Sequence, residues 1–504
     1  MESASTPAGG PQQPPGSAPG EKGLKTGALG YLSNLVIGVA STAPGYSLAA
    51  TLGLIAAVSG VGLGAPAVMW VSFVPMLLIA SAYYYLNRAD PDCGTTFSWV
   101  TRAMGPSAGW LGGWAIIVAD IIVMANLAQI AGLYSFLLMG WDSAAASTAA
   151  VTGVGVVWIV VMTAICYIGI ELSARSQYFL LGAEIVTLAV FVVVALVKVY
   201  SGDAPATSVK PDFAWLSPFE FDSFSALTNG VLLGVFIYWG WDSGVTVNEE
   251  SKNSNEGPGK AAIMSTIVLV LIYVSVAVAA QAFSGPDVLI KNADDVLSVL
   301  GKEVFGSPLD KILIIAVLTS AAASTQTTIL PTARTSLSMA RSRALPATFG
   351  KVHPRYLTPS TSTLTMGAVS IVWFVGLTVV SENILFDSIA ALGLMISFYY
   401  GLTGFACTIY YRRQLFRSVK NFLLMGVGPT LGGLILGFVF VKSCIDLSKP
   451  ENSTSGTSWL GLGPPLIIGL GFLVMGAILM LFWRFSPTGR EFFRRRPEAA
   501  ADVP

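Results

Sequence analysis

The chain has 504 residues, of which 54% are hydrophobic and 11% are charged, and its 28 basic residues balance 28 acidic ones. With a mean hydropathy of +0.69, this composition excludes an ordinary water-soluble globule. We therefore expect an all-α polytopic membrane protein.

Residues 1–26 differ in composition from the rest of the chain. They are mostly Pro, Gly, Ser and Ala with hardly an apolar side chain, so they cannot bury enough surface to fold. We predict a disordered cytoplasmic tail, and no cleavable signal peptide is visible in it.

Twelve apolar stretches follow the tail, and each is close to the length of about 20 residues that a membrane-spanning helix needs. They predict twelve transmembrane helices. Their approximate bounds are 29–58, 65–86, 109–138, 150–170, 177–200, 222–247, 261–284, 311–340, 362–381, 386–411, 422–445 and 460–483.

The lysines and arginines predict how these spans are oriented. If the N-terminus is cytoplasmic, 21 basic residues lie on the cytoplasmic side and 7 on the opposite side, which accounts for all 28. The positive-inside rule therefore favours cytoplasmic N- and C-termini.

The first span contains a possible break. As one helix, residues 29–58 would be about 45 Å long, against a hydrocarbon core of about 30 Å. The middle of this span reads Ser41-Thr42-Ala43-Pro44-Gly45, followed by Tyr46 and Ser47. One interpretation is a simple proline kink, in which neighbouring groups satisfy the freed backbone. The polar neighbours favour a real interruption.

The sixth span has a similar irregular centre. Gly240 lies between Trp239 and Trp241, and Asp242 follows directly. Interrupted helices at the first position of two five-span halves, about 29–200 and 222–411, are typical of secondary transporters with an inverted repeat. Because each half has an odd number of spans, we expect the two breaks to meet near the midplane.

Few residues are available for enzyme or metal chemistry. The single histidine, His353, lies in a basic loop, so His-based metal or triad chemistry has too few parts. The cysteines are far apart, without metal-ligand spacing, and we expect them to be packing residues. We expect no cofactor and no nucleic acid partner. The cysteines are Cys93, Cys166, Cys407 and Cys444.

Three loops carry a family resemblance. They read LNRADPDCGTTFSWVTRAMGPSAGWLGGW (86–114), GWDSGVTVNEESKNSNEGPGKA (240–261) and ARTSLSMARSRALPATFGKVHPRYLTP (333–359). In this order they resemble the Pro-Asp-x-Gly, Glu-Glu-x-x-Asn-Pro and Leu-Pro…Val-His-Pro elements of the amino acid–polyamine–organocation (APC) family of permeases. The first break departs from the family, since Ser-Thr-Ala-Pro-Gly stands where many members have Gly-x-Gly.

The resemblance implies a bacterial-type amino acid permease of the cytoplasmic (inner) membrane. It implies twelve transmembrane helices in a 5+5 inverted repeat with broken helices 1 and 6, plus two extra C-terminal helices. The expected domains are a transport core at 27–411, helices 11 and 12 at 412–484, and a cytoplasmic tail at 485–504. The last two helices either pack at a dimer contact or flank the core.

The two breaks predict a substrate site with two helix ends of opposite sign. The backbone N–H groups of Gly45, Tyr46 and Ser47 form the positive start of a half-helix, which suits a carboxylate. The carbonyl groups of Phe236, Ile237 and Tyr238 form a negative helix end, which suits an ammonium group. The remaining predicted substrate-binding residues are Ser41, Thr42, Ala43, Trp239, Gly240 and Asp242.

Aromatic residues of span 6 are candidates for a gate over the substrate. In family members an aromatic residue on this half-helix has that role, so the resemblance implies it for Phe236 and for Tyr238 or Trp239. Alternatively, Tyr238, Trp239 and Trp241 are lipid-facing packing residues or interfacial anchors.

Acidic residues within spans are candidates for ion coupling, because a charge at the bilayer centre costs roughly 2.5–3.5 kcal/mol on insertion scales. Those considered are Asp120, Glu184, Asp242 and Asp387. Asp120 is either a coupling residue or a buried structural hydrogen-bond acceptor. Asp242 either lies at the substrate cavity or caps the second half-helix.

Glu184 lies among almost entirely apolar neighbours, so its side chain is expected to point into the bundle. It is predicted to carry a proton or to pair with a cationic substrate; the alternative is a neutral group bonded to a neighbouring helix. Several relatives in the cationic branch have a lysine near this point of span 5, close to the unwound first helix, so the resemblance implies the same location for Glu184 with the sign of the charge reversed. A sodium site would instead use backbone oxygens near residues 40–43 with Ser324 and Thr325.

Together these features predict a secondary active transporter of an amino acid or related amine that works by alternating access. Proton symport is the commoner behaviour of the family and agrees with the buried acids. The alternatives are an amino acid/polyamine exchanger and, from another class, a membrane-embedded enzyme. The expected partners are the small-molecule substrate, a proton and the lipid bilayer, and the oligomeric state is left open.

Overall fold

The computed structural model describes residues 21–293, 296–380, 383–453 and 455–498. Apart from two isolated backbone bridges, every regular element in these ranges is helical. The α-helices are α1 (Tyr31–Ser41), α2 (Pro44–Ala57), α3 (Ala65–Ala89), α4 (Thr96–Met104), α5 (Pro106–Met139), α6 (Asp142–Ala145), α7 (Thr148–Ile168), α8 (Ile170–Ser201), α9 (Phe224–Tyr238), α10 (Ser243–Thr246), α11 (Gly257–Ser284), α12 (Pro286–Lys291), α13 (Val296–Phe305), α14 (Lys311–Arg341), α15 (Ser360–Val380), α16 (Asn383–Tyr410), α17 (Val419–Asn421), α18 (Gly428–Asp446), α19 (Pro464–Phe485) and α20 (Pro487–Phe493). Short 3₁₀ helices lie at Gly62–Gly64, Phe213–Leu216, Asn248–Glu250, Ala347–Gly350, Leu415–Arg417 and Pro450–Asn452, and a π-helical segment lies at Phe422–Val427.

Twelve helical segments of the described chain are long and apolar enough to cross a membrane, which confirms the predicted all-α fold with twelve spans. Residues 1–20 and 499–504, which belong to the two predicted tails, lie outside the described residues. The spans, numbered 1 to 12, are Tyr31–Ala57, Gly62–Ala89, Pro106–Met139, Thr148–Ile168, Ile170–Ser201, Phe224–Thr246, Gly257–Ser284, Lys311–Arg341, Ser360–Val380, Asp387–Tyr410, Val419–Asp446 and Pro464–Phe485.

Span 1 consists of two helices, α1 and α2, which are separated by Thr42 and Ala43. Ala43 has a φ of 47°, in the left-handed region that residues with a side chain rarely adopt. Pro44 opens α2, where its missing N–H group and fixed φ are compatible with a first helical turn. The helix is therefore interrupted rather than kinked, and the interruption begins just before Pro44.

Span 6 is interrupted after α9, which ends at Tyr238. Gly240 has a φ of 117°, and a Cβ atom there would lie 2.7 Å from the carbonyl oxygen of Ser41. Only glycine therefore permits this backbone conformation together with so close an approach to span 1. The chain continues in α10 and the 3₁₀ turn Asn248–Glu250, which are much shorter than α9.

The two interruptions contact each other inside the bundle. The hydroxyl groups of Ser41 and Ser243 are 2.7 Å apart, and α10 packs on both α1 and α14. Ser324 of α14 donates a hydrogen bond of 2.9 Å to the carbonyl oxygen of Ser41. Polar groups of spans 1, 6 and 8 therefore meet at one place, surrounded by apolar helices.

Spans 11 and 12 lie at the periphery. Their helices α18 and α19 both pack on α16, and α19 also packs on α5. Large apolar side chains such as Leu434 and Phe482 are 57% and 73% exposed, as expected for a surface that faces lipid.

The first and last parts of the described chain both contact the bundle. The predicted tail 1–26 includes Lys22, whose ammonium group forms ion pairs of 2.7 Å with both Asp92 and Glu249. The part of this segment that the structure describes is therefore packed on the bundle. Specific ionic contacts hold it there, and the composition of the segment does not reveal them. At the other end, the ring of Phe492 in α20 stacks on Phe97 of α4 at 5.7 Å.

Candidate functional site

The start of α2 forms the first part of the candidate site. The backbone N–H of Gly45 donates a hydrogen bond of 2.6 Å to Oε1 of Glu184, and that of Tyr46 donates one of 3.1 Å to Oγ of Ser320. A carboxylate thus lies at the positive end of this helix, as its polarity favours. The carboxylate belongs to the protein itself, so the donors that sequence analysis assigned to a substrate have internal acceptors.

Glu184 reaches this helix end from α8, a helix whose other side chains largely face outward. Its neighbours Phe179 and Val186 are 76% and 64% exposed, whereas Glu184 is fully buried. The prediction that this side chain points into the bundle is confirmed. Among the described residues Oε2 has no hydrogen-bond partner, so one carboxylate oxygen is held by the helix end and the other is available.

The other polar groups of the first interruption bind the backbone of their own span. The N–H of Ser47 donates to the carbonyl oxygen of Ala43, and its hydroxyl donates to that of Thr42, both at 2.7 Å. The Thr42 hydroxyl donates to the carbonyl oxygen of Val39 at 2.7 Å. These bonds satisfy backbone groups that the missing helical turn would leave without partners.

Asp242 lies directly after the second interruption and is held by tyrosines. Its carboxylate accepts hydrogen bonds from Tyr400 at 2.8 Å and Tyr399 at 3.2 Å, both in α16, and from Tyr83 in α3 at 3.5 Å. The alternative that Asp242 caps α10 is wrong. Its backbone is in the right-handed helical region, unlike a typical N-cap residue, and its side chain bonds no backbone N–H of that helix.

Sequence reasoning missed these tyrosines. Tyr399 and Tyr400 lie side by side in the middle of apolar span 10, and both are buried. A buried tyrosine hydroxyl usually has a hydrogen-bond partner, so a pair of tyrosines at mid-span is a usable signal for a buried acceptor.

The aromatic residues around the second interruption are all buried, which excludes the lipid-facing and interfacial interpretations. Tyr238 packs edge-to-face on Tyr273 with ring centroids 5.0 Å apart, and the indole N–H of Trp239 donates to the hydroxyl of Tyr399. Phe236 packs edge-to-face on Tyr46 at 6.4 Å. Of the three candidates for a gate, Phe236 is therefore the one in contact with the start of α2.

Two of the three carbonyl groups predicted to bind an ammonium group already accept a hydrogen bond. The N–H of Trp239 donates to Phe236 at 3.0 Å, and the Tyr273 hydroxyl donates to Ile237 at 2.7 Å. A carbonyl oxygen has two lone pairs, so each retains capacity for a second donor.

Asp120 lies in α5 and is 2% exposed. It accepts a hydrogen bond of 2.5 Å from the hydroxyl of Thr332 in α14, as the structural alternative expects. Asp387, at the end of span 10, accepts one of 3.2 Å from the N–H of Ser455. Ser455 lies in the loop before span 12.

The two hydroxyl groups considered for a sodium site point in different directions. Ser324 binds the carbonyl oxygen of Ser41 at the interruption, whereas the Thr325 hydroxyl donates to Ala321 in its own helix at 2.8 Å. Of the two, only Ser324 is therefore directed at the oxygens of span 1.

A second polar cluster lies at the end of the bundle where Lys22 inserts. Burial alone would raise the pKa of Asp92, but the Lys22 ammonium, with hydrogen bonds from Ser98 and Ser338, lowers it to about 2. Burial disfavours the charged form of Lys22, but its anionic surroundings outweigh this effect and raise its pKa. Asp92, Cys93 and Glu249 could together ligate a metal ion, yet the Lys22 ammonium occupies the centre of this group.

Comparison with known proteins shows which proteins the chain is similar to. Residues 29–477 match the family model described as amino acid permease. The chain is 28% identical over 348 residues to an uncharacterised transporter of Mycobacterium tuberculosis, covering 68% of this chain and 72% of that protein. It is 26% identical over 349 residues to the vacuolar cationic amino acid transporter 4 of Arabidopsis thaliana, covering 62% and 53% of the two chains. It is 20% identical over 398 residues to the low-affinity putrescine importer of Escherichia coli, covering 78% and 82%.

Proposed function

Because the chain belongs to the amino acid permease family, we propose that it moves an amino acid or a related amine across the membrane by alternating access. The family and the named relatives are transporters, so the chain is a membrane transporter and not an enzyme. We propose further that it is a proton symporter in which Glu184 carries the proton.

The hydrogen bond of 2.6 Å from the N–H of Gly45 to Glu184 carries this proposal. A helix start holds about half a positive charge and is a favourable position for the carboxylate of an amino acid. Glu184 occupies that position. Two carboxylates at one buried helix end repel each other strongly, so a substrate carboxylate can bind there only when Glu184 is neutral or has moved away.

Protonation of Glu184 resolves this competition and couples the two ligands. When Glu184 is protonated, its neutral carboxyl group releases the N–H of Gly45. The substrate carboxylate then takes the place of the Glu184 carboxylate at the helix start, so the helix start still faces a single negative charge. When the substrate leaves on the opposite side, Glu184 loses its proton and binds Gly45 again. Each transported amino acid is then accompanied by one proton.

The rest of the amino acid would extend toward span 6. Its ammonium group would face the remaining lone pairs at the end of α9, where the carbonyl groups of Phe236 and Ile237 lie. The ring of Phe236, in contact with Tyr46, would cover the substrate as a gate. Asp120, which accepts a hydrogen bond from Thr332, stays a predicted second coupling residue.

The second candidate is an exchanger or carrier of amines that lack a carboxylate. Its support is Oε2 of Glu184, which has no partner among the described residues and could bind a substrate ammonium group. The similarity to a putrescine importer favours keeping this candidate. In this case Glu184 stays ionised throughout the cycle, so the two candidates predict different proton behaviour.

We also propose the inverted repeat of 29–200 and 222–411, within a transport core at 27–411. Support comes from the interruptions of the first helix in each half and from their contact at Ser41 and Gly240. The 21 to 7 division of basic residues supports cytoplasmic termini in an inner-membrane protein.

The test is uptake into proteoliposomes. A thermal-stability screen of amino acids and polyamines first identifies a ligand, because binding at 100 times Kd stabilises a protein by about 2.7 kcal/mol. An outside-acidic gradient of about one pH unit is worth about 1.4 kcal/mol, and it should drive up to about tenfold accumulation.

Two variants then distinguish the two candidate functions. Glu184→Gln should bind an amino acid but no longer accumulate it in response to the gradient. Glu220→Gln removes an exposed acid in the connection between spans 5 and 6, and it should behave like the parent. Gradient-driven accumulation that persists unchanged in Glu184→Gln would exclude the symport mechanism.

A further inference from the structure

We propose that the protein binds an anionic phospholipid where spans 4 and 5 meet the loop between spans 8 and 9. The phosphate headgroup would occupy a basic cavity, and one acyl chain would occupy an adjoining apolar groove. This site lies apart from the two helix interruptions and does not depend on the transport mechanism.

The headgroup cavity has a volume of about 570 Å³ and lies between the start of α8 and the loop that precedes α15. Its lining includes Lys25, Arg175 and Arg355, with Glu171 as the one acidic lining residue. Lys25 and Glu171 form an ion pair of 2.9 Å and so neutralise each other.

The two arginines leave this cavity with a net positive charge. Within the described part of the chain, neither Arg175 nor Arg355 has an acidic partner, and the Arg355 guanidinium lies 5.6 Å from the centre of the Tyr356 ring. A guanidinium held over an aromatic face keeps its N–H donors free at its edge. The cavity therefore offers two uncompensated cations that suit a phosphate group.

The start of α8 adds backbone donors to the same cavity. Gly169 separates α7 from α8, and Gly169, Ile170, Glu171 and Leu172 all line the cavity. Among the described residues, the N–H groups of Ile170 and Leu172 have no recorded acceptor, as expected for a first helical turn. Helix polarity and the two arginines therefore favour the same anionic ligand.

An apolar groove continues from the cavity along the membrane-facing surface. It has a volume of about 360 Å³, runs between α7 and α15, and shares Ile168 with the cavity. Val160 and Leu364 on its two sides are each 52% exposed. A groove on two membrane spans that ends at a cationic cavity matches a phospholipid, which has an acyl chain and an anionic headgroup in this order.

The experiment measures lipid binding to the purified full-length protein in mild detergent. Dioleoyl phosphatidylglycerol and dioleoyl phosphatidylcholine are titrated separately, and the unfolding temperature and lipid-bound species in native mass spectrometry are recorded. The parent should bind phosphatidylglycerol at least about tenfold more tightly than phosphatidylcholine. Inorganic phosphate and glycerol phosphate at equal concentration should produce no comparable shift.

Two variants and two matched controls test the position of the site. Arg175→Gln with Arg355→Gln should remove the preference for phosphatidylglycerol, whereas Arg413→Gln with Lys420→Gln removes two exposed basic residues elsewhere and should keep it. Ala368→Phe fills the groove and should weaken binding of both lipids. Val372→Phe, on the same helix at a position 73% exposed and outside the groove, should not.

Equal affinity for the two lipids, or equal losses in variants and controls, would overturn the proposal. A full response to inorganic phosphate alone would also overturn it, since the cavity would then be a site for a soluble anion. If the arginine variant does not fold, the comparison of Ala368→Phe with Val372→Phe still tests whether lipid binds in the groove, because both changes lie on the lipid-facing surface.

Discussion

Glu184 and Gly45 are 139 positions apart in the chain, yet the N–H of Gly45 at the start of α2 donates a 2.6 Å hydrogen bond to the Glu184 carboxylate. The protein thus provides its own anion at the helix end where an amino acid would present its carboxylate. The substrate carboxylate and the Glu184 side chain then compete for the same N–H donors, and the protonation state of Glu184 determines which of them binds.

Replacing Glu184 by Gln tests this competition through the pH dependence of affinity. In the parent, binding of an amino acid requires a proton, so affinity should fall by up to about tenfold per pH unit on the alkaline side. The glutamine side chain is always neutral and, like the neutral carboxyl group, can release the N–H of Gly45, so the affinity of the variant should be independent of pH. Calorimetric titration that extends from about pH 6 to about pH 9 distinguishes the two.

A parallel decline of affinity in parent and variant would assign the proton to another group. Loss of affinity confined to amines without a carboxylate would instead favour the second candidate function, in which Glu184 is the partner of a substrate ammonium group.

Gly45 is expected to tolerate little added volume. A Cβ atom there would lie 3.4 Å from Oε1 of Glu184 and 3.3 Å from the carbonyl oxygen of Ala316. Gly45→Ala should therefore need only a small shift of these neighbours and weaken substrate binding less than about tenfold, whereas Gly45→Leu should abolish binding while the protein stays folded. Gly182→Ala in α8 has open space around its Cβ and serves as the control. Unchanged affinity in Gly45→Leu, measured on folded protein, would exclude this helix start as the substrate site.

The interruptions could be predicted from sequence because each carries a local signal. Pro44 cannot continue a helix, and Gly240 allows a backbone conformation that other residues avoid. The inward direction of Glu184 followed from its apolar neighbours alone. The family resemblance implied that this point of span 5 lies close to the interrupted first helix. The hydrogen bond from Gly45 was not predicted, because no local sequence signal assigns that N–H group to the Glu184 carboxylate.

The tyrosines around Asp242 and the packing of Lys22 were missed for different reasons. In a membrane protein, tyrosine is also typical of the bilayer interface, so its burial in span 10 is not evident from residue type. Lys22 lies in a segment whose composition indicates disorder, and composition cannot reveal one residue held by two carboxylates.

Tyr400→Phe should destabilise the protein by about 1.5–3 kcal/mol, since it removes a hydrogen bond to the buried Asp242 carboxylate. Tyr238→Phe is the matched control, because the Tyr238 hydroxyl is buried and has no partner among the described residues. Its change in stability should stay within about 0.5 kcal/mol. Thermal unfolding in detergent compares the two, and equal losses would contradict the role of Tyr400 as a donor to Asp242.

Lys22→Met should destabilise the protein in a pH-dependent way. In the parent, the lowered pKa of Asp92, about 2, contributes stability above about pH 4 that is lost as the pH falls toward that value. The raised pKa of Lys22 contributes stability below about pH 10 that is lost as the pH rises further. Between these limits the contribution of the pair is constant.

Without Lys22, Asp92 lies buried beside Glu249 without the cation of its ion pair, so its pKa should rise above its ordinary value. Ionising it then costs stability, and the loss in Lys22→Met should grow between about pH 4 and pH 8 to about 2–4 kcal/mol. Lys260→Met removes an exposed pair with Glu256 and should have little effect at any pH. A pH-independent loss in Lys22→Met would contradict the ionic role of Lys22.

Proton uptake upon substrate binding tests the competition at Gly45 most directly. Purified protein in weakly buffered detergent solution near neutral pH is mixed with a saturating amino acid substrate, and a pH indicator records protons taken from solution. The account predicts proton uptake by the parent that rises toward about one proton per bound amino acid as the pH is raised from neutral, and none by Glu184→Gln. Substrate binding to the parent without proton uptake, or equal uptake by Glu184→Gln, would contradict it.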